Sequence, residues 1–203
     1  MKIFALVGET SVGKSTVERL LVSRLGLNRV VSYTTRPKRP SESLDDYHFV
    51  SDDVFDDRVS RGLCLEKTEY MVNGKRFRYS FGIDSFSHDL VNVMVVNPHG
   101  LSQIIPKLTK DDEIVIILIK ASLKTKVERY LSREDLKDQS VYKRLVTRLV
   151  QDDEDFRQFE NEDIKKYLDS KKTPNTNISF KLFENENEEC LNEIVKTIEK
   201  SLD

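Results

Sequence analysis

The stretch Gly8-Glu9-Thr10-Ser11-Val12-Gly13-Lys14-Ser15-Thr16 constrains this chain more than any other, because two glycines bracketing four residues before Lys-Ser suit only a tightly curled backbone. Before it, Ile3 to Val7 is a short apolar run consistent with a buried strand. After it, Thr16 to Leu25 carries apolar residues at helical spacing. Strand, glycine-bounded loop and helix in that order predict a phosphate cradle: backbone N–H groups curl around an anion and the helix start adds its partial positive charge. The nine residues Gly8 to Thr16 are therefore the expected ATP-binding loop. Lys14 is expected to reach the β and γ phosphates, and the Ser15 hydroxyl to ligate Mg²⁺.

Composition narrows the partners. Among 203 residues, 33 basic and 35 acidic side chains leave a formal charge of -2, so no general basic field favours nucleic acid and any anion site must be local. Cys64 and Cys190 cannot form a metal cluster by themselves, and His48, His88 and His99 lack a ligand spacing. The apolar run before Gly8 is too short for a membrane span or a signal segment, which predicts a cytoplasmic protein with no membrane partner. The acidic group Asp52, Asp53, Asp56 and Asp57 follows Ser51 at a predicted helix start, where negative charge is favourable, and is read as part of that helix rather than as a metal site.

Further strand candidates are Arg29 to Ser32, Val91 to Asn97, Ile114 to Ile119 and Ile178 to Phe183, most of them separated by helical patterns. Such alternation predicts an α/β chain with a mainly parallel five-stranded sheet and helices on both faces. Residues 32–82 break the alternation with a basic loop, the run Tyr47 to Val50, a helix signal from Ser51 and extended segments around Asn73-Gly74, a pair that favours a tight hairpin. The chain is read as one domain: a core of 1–31, 83–129 and 142–203, a mixed α+β insertion at 32–82 and a short lid at 130–141. Glu188 to Leu202 has one apolar face and is read as a packing helix.

After the second strand, Ser32-Tyr33-Thr34-Thr35-Arg36-Pro37-Lys38-Arg39-Pro40 leads to Tyr47-His48-Phe49 and then to Gly62-Leu63-Cys64-Leu65-Glu66. These segments, in this order behind the phosphate loop, resemble guanylate kinases. The resemblance is clear to about residue 83, weaker beyond it, and covers most of the chain. It implies a P-loop kinase fold with sheet order 2-3-1-4-5, a nucleoside monophosphate-binding insertion, and transfer of the ATP γ-phosphoryl group to GMP or dGMP. Carried over by position, Arg36, Arg39 and Tyr47 would bind the acceptor phosphate, a task that suits planar guanidinium forks. Ser32 and Glu66 would face the guanine, where a carboxylate accepts from N1–H and the 2-amino group and a hydroxyl serves O6.

Three segments depart from the family pattern. The usual Tyr-Gly-Thr turn is Phe81-Gly82-Ile83, which removes two hydroxyls, with Tyr79 as a substitute. Ser43-Leu44-Asp45-Asp46 replaces a glycine-containing stretch, and the strand-end aspartate becomes Asn97, in Asn97-Pro98-His99-Gly100. An amide at 97 can hydrogen-bond but brings no charge.

Val127, Tyr130 and Leu131 run into Ser132-Arg133 and a polar loop, then Ser140 stands as an N-cap before a helix with Arg144 and Arg148 one turn apart. The resemblance casts Arg133 and Arg144, with Lys14, as the catalytic cations that stabilise transferred charge. Two other functions stay open at this point. One is a kinase of another (deoxy)nucleoside monophosphate or a phosphorylated sugar. The other is a catalytically inert guanylate-kinase-like module that binds phosphorylated peptides, against which stand Lys14, Ser15 and the arginines.

Overall fold

Near-continuous burial along a few apolar strands decides the architecture. The computed structural model describes residues 1–39, 42–72, 74–157 and 177–202. Its strands are β1 (Lys2–Val7), β2 (Asn28–Arg29), β3 (Ser32–Thr34), β4 (His48–Phe49), β5 (Thr68–Val72), β6 (Lys75–Phe81), β7 (Asn92–Val95), β8 (Glu113–Lys120) and β9 (Asn177–Glu184). Its α-helices are α1 (Lys14–Leu25), α2 (Asp52–Ser60), α3 (Pro98–Ile104), α4 (Leu123–Leu131), α5 (Ser140–Phe156) and α6 (Glu188–Glu199).

Five strands form a parallel sheet in the order β2-β7-β1-β8-β9. Once the four strands of the insertion are set aside, the core strands follow one another as second, third, first, fourth and fifth. The sheet differs in detail from the sequence expectation. The second strand is only Asn28–Arg29, because Ser32 turns away to begin β3 in a separate sheet.

Side chains of successive strand residues point to opposite faces, and both faces here are apolar. Phe4, Leu6, Val115, Ile117 and Ile119 meet Val17 and Leu21 of α1 and Ile194, Val195 and Ile198 of α6. Ile3, Ala5, Met94, Ile114, Ile116 and Leu118 meet Leu101 and Ile104 of α3 and Phe156 at the end of α5. Each such fully buried aliphatic side chain contributes about 1.5–3 kcal/mol, so β1, buried on both sides, anchors the loop that follows it. Among the described residues, no helix is long and apolar enough to cross a membrane.

The second sheet has the order β4-β3-β6-β5, with β3 parallel to β4 and the other pairs antiparallel. Its register sets Ser32 opposite Phe81, and Tyr79 opposite both Thr34 and Thr68. Directly opposed residues share a face, so Ser32, Thr34, Thr68, Tyr70, Tyr79 and Phe81 line one side. The other side carries Arg78, which is buried against α2, ion-paired to Asp52 at 2.5 Å and to Asp56. Ser51 caps α2 by accepting the Val54 N–H. The acidic start of α2 thus neutralises a buried arginine, and among the described residues no group of three His, Cys, Asp or Glu could hold a metal ion. Asn73, half of the hairpin pair read from the sequence, lies outside the described residues, as does Pro40 of the basic loop.

Candidate active site

The phosphate loop is built from the end of β1 into the start of α1. A side chain at Gly8 would collide with the Ile119 carbonyl of β8, and Gly13 adopts φ 100° beside the Asn185 amide. Glycine alone tolerates both constraints without strain. Ser11 also has a positive φ, 64°. Val12 is buried, and its carbonyl accepts from Asn185 Nδ2 at 2.8 Å and Arg129 Nη1 at 3.5 Å. Lys14 folds beneath the loop and donates to the carbonyls of Gly8 at 2.6 Å and Glu9 at 2.7 Å. Burial pushes its ammonium down to about 8, with Arg148 and Arg133 adding to that and Asp152 and Glu9 opposing it. The Glu9 side chain turns aside to ion-pair with Lys126 at 2.5 Å. Ser15 and Thr16 open α1, Thr16 with its N–H on the Gly13 carbonyl. Ser15 is exposed, and among the described residues its hydroxyl has no hydrogen-bond partner, which leaves a hard oxygen donor free for a Mg²⁺ ion.

Helix α5 reaches this loop from the far side of the site. Asp152 accepts the Thr10 N–H at 2.7 Å, and burial raises its carboxyl above the usual range. Arg148 precedes Asp152 by one turn on the same face and is close enough to act on the charge of Lys14. From just beyond the end of α4, Arg133 reaches the Ser11 hydroxyl at 2.5 Å.

Arg144 is placed differently from the sequence expectation. It lies a further turn from the loop, roughly 6 Å along the helix axis. There it is half-exposed and paired with Glu134 at 2.9 Å and Asp138 at 3.0 Å. The acidic residues between α4 and α5 capture it locally, whereas Arg148 lies nearer Lys14 of the loop. Ser140 is likewise not the N-cap of α5: the helix begins at Ser140, whose N–H and hydroxyl both donate to Asp138.

The acceptor candidates converge on the face of the second sheet that holds Ser32 and Tyr79. Arg36 is buried. Its fork takes the Glu42 carboxylate at 2.9 and 2.7 Å, and its Nε donates to the Tyr79 hydroxyl at 2.9 Å. Its guanidinium also lies 5.4 Å from the Tyr47 ring centroid. A fork that takes a carboxylate in this way also suits a phosphate. Arg39 is more exposed, with its backbone N–H on Glu42 at 2.8 Å and its guanidinium 3.9 Å away. Tyr79 is thus tied to the Arg36 fork.

Glu66 is buried, accepting the Phe81 N–H at 3.1 Å and the Thr68 hydroxyl at 3.0 Å. Burial pushes its carboxyl up to about 7, against the pull of those two donors and of Lys107. Ser32 stands half-buried opposite Phe81, and Ile83 is exposed. Asn97 caps α3 by accepting the Gly100 N–H at 2.7 Å and donates to the Tyr70 hydroxyl at 2.7 Å. A cavity of about 370 Å³ opens here, lined by Thr68, Tyr70 and Asn97 and, from α5, by Gln151 and Asp155. The acceptor face and the phosphate loop are thus joined by one helix.

Sequence reasoning missed Glu42, Thr68, Tyr70, Arg129, Asp152 and Asn185 in this region. Thr68 and Tyr70 follow Glu66 at a spacing of two, a signal that period-two alternation could have used. Glu42 follows Arg36 and Arg39 in the same loop, whereas Arg129, Asp152 and Asn185 carry no local signal, since each reaches the site from another element. The side-chain oxygen of Asn185 is buried without a partner among the described residues, as suits a group that meets a ligand.

The guanylate kinase family model matches residues 1–168. The guanylate kinase of Legionella pneumophila (strain Paris) is 28% identical over 153 residues, covering 71% of this chain and 69% of that protein. That of Malacoplasma penetrans (strain HF-2) is 26% identical over 152 residues, covering 72% and 76%. In fold, the chain is similar to the crystal structure of guanylate kinase from Anaplasma phagocytophilum, with a TM-score of 0.55 at 18% identity, covering 99% of this chain and 84% of that one. A phosphate loop braced by arginines, a second sheet with a buried carboxylate and an arginine fork, and a family match over most of the length place this chain in the guanylate kinase family.

Proposed function

We propose that this kinase transfers the γ-phosphoryl group of ATP to GMP or dGMP, giving ADP and the corresponding diphosphate. The observation that carries the reading is the cavity lined by Thr68, Tyr70 and Asn97 and by Gln151 and Asp155 of α5, the same helix that touches the phosphate loop through Asp152. Residues 32–82 act as the acceptor-binding insertion and 130–141 as the lid.

Gly8 to Thr16 hold the ATP phosphates, with Lys14 on the β and γ groups. Bound through Ser15 and the phosphate oxygens, Mg²⁺ would neutralise charge on the transferred group. Arg36 and Arg39 take the acceptor phosphate, with Tyr47 and Tyr79 fixing the Arg36 fork. Glu66 accepts from the guanine N1–H and 2-amino groups, with Ser32 and Phe81 framing the base and Asn97 at its edge. An oxygen of the acceptor phosphate attacks the γ phosphorus as the bond to ADP breaks. That oxygen is already anionic, so no general base is needed. Arg133 and Arg148 stabilise the charge spread over the transferred group and help exclude water. Arg144 holds the lid to α5.

A coupled ADP-release assay across all ribo- and deoxynucleoside monophosphates tests the reading. Turnover with GMP or dGMP well above the other acceptors is expected, and no turnover with any purine monophosphate overturns it.

A further inference from the structure

We infer that Ser11 is a positioning residue for phosphoryl transfer, its hydroxyl holding Arg133 against the phosphate loop while leaving the arginine's charge unneutralised; this rests on the guanylate kinase reading above, in which Arg133 meets the transferred group.

Among the described residues, Ser11 is the one non-glycine with a positive φ, 64°. A side chain there costs energy that a glycine avoids, and such strain persists only where the surrounding structure fixes it. Here the Ser11 hydroxyl oxygen accepts from Arg133 Nη2 at 2.5 Å. Neighbouring contacts brace the same place. Arg133 Nε donates to the Arg129 carbonyl at 2.9 Å, and Arg129 Nη1 reaches the Val12 carbonyl at 3.5 Å. One turn earlier, Lys126 pairs with Glu9 at 2.5 Å. Lys126 and Arg129 share a face of α4, so that face runs along the phosphate loop and delivers Arg133 at its end.

Two other arginines of this region are held by acids: Arg36 by Glu42, and Arg144 by Glu134 and Asp138. Arg133 stands directly before Glu134 and Asp135 in the sequence, yet its partners are the Arg129 carbonyl and the Ser11 hydroxyl. A carboxylate would cancel the charge that a phosphate needs. A hydroxyl fixes the guanidinium by a hydrogen bond and leaves that charge intact. Of the five N–H groups of Arg133, three have no acceptor among the described residues, two on Nη1 and one on Nη2. Ser11 belongs to the loop that receives the phosphates, so these donors start from beside them rather than from solvent. A cation placed in advance need not be ordered at the moment of reaction.

The test compares Ser11→Gly with Ser11→Ala. Both remove the hydroxyl, but glycine also relieves the strained φ whereas alanine keeps it. In steady-state kinetics with ATP and GMP, both variants should lose about tenfold in kcat, less than Arg133→Ala loses, with the Kd for ATP by calorimetry within about threefold of the wild type. In an Arg133→Ala background, Ser11→Gly should cost nothing more. Independently of turnover, proton–nitrogen NMR spectra should show the Arg133 Nε–H signal, assigned by its absence in Arg133→Lys, in the wild type and lose it to water exchange in Ser11→Gly. An unchanged kcat in both variants, a loss in only one of them, an equal loss without Arg133, or an unaltered Nε–H signal overturns the assignment. A folded, ATP-binding wild type that turns over neither GMP nor dGMP overturns the functional reading instead, and the NMR comparison then decides alone whether Ser11 holds Arg133.

Discussion

Asp152 accepts the Thr10 N–H at 2.7 Å, so a carboxylate of α5 occupies one of the donors of the phosphate loop and lies near Lys14. Its charge opposes an incoming phosphate, whereas its hydrogen bond braces the loop. Asp152→Asn keeps an acceptor and removes the charge. The dissociation constant for ATP, measured by calorimetry, is expected to fall by about two- to tenfold, the scale of a partly screened charge interaction. Asp152→Ala removes both and is expected to lower kcat as α5 loosens.

Arg144 and Arg148 are neighbours on one helix with different surroundings: Arg144 pairs with Glu134 and Asp138, whereas Arg148 lies near Lys14. Arg148→Ala should reduce kcat by roughly 10²- to 10³-fold, the usual cost of removing a group that stabilises transition-state charge. Arg144→Ala should change kcat by less than about threefold, because its partners are exposed acids of the lid. Parallel kinetics on the two variants check the assignment, and a reversed ranking would exclude it.

Glu66 titrates near neutrality because it is buried. A protonated carboxyl cannot accept from two base donors, so the KM for GMP should rise as pH falls through about 7, and Glu66→Gln should abolish that part of the profile. For stability, a carboxyl whose folded pKa lies above its unfolded value of about 4.5 favours the fold below pH 4.5, an advantage lost as pH rises through 7. Chemical denaturation at pH 8 should then find Glu66→Gln more stable than the wild type, by on the order of 1–3 kcal/mol.

Lys14 runs the other way. Its folded pKa of about 8 lies below the unfolded 10.5, so folding gains stability as pH rises from 8 towards 10.5. Bound phosphates favour the charged form, so ATP binding near pH 8 should take up about half a proton. Titrations in buffers of different ionisation enthalpy measure that uptake, and Lys14→Met should eliminate it together with turnover.

Much of this protein was legible in one dimension. The β1–loop–α1 unit and the five core strands are written in local spacing and order, because side-chain alternation and glycine freedom act over a few residues; Arg36, Tyr47 and Glu66 were singled out through the family resemblance. The different surroundings of Arg144 and Arg148 were not, since residues one turn apart on a helix look equivalent until the acids between α4 and α5 and the phosphate loop are set in space. Nor were Asp152 on Thr10 or Asn185 on Val12, which join positions 142 and 173 residues apart. The sequence by itself determined a P-loop kinase of the guanylate kinase family. Only the tertiary structure decided which charges are already satisfied and which groups remain free to meet a nucleotide, because hydrogen-bond satisfaction and desolvation depend on neighbours brought by the fold rather than by the chain.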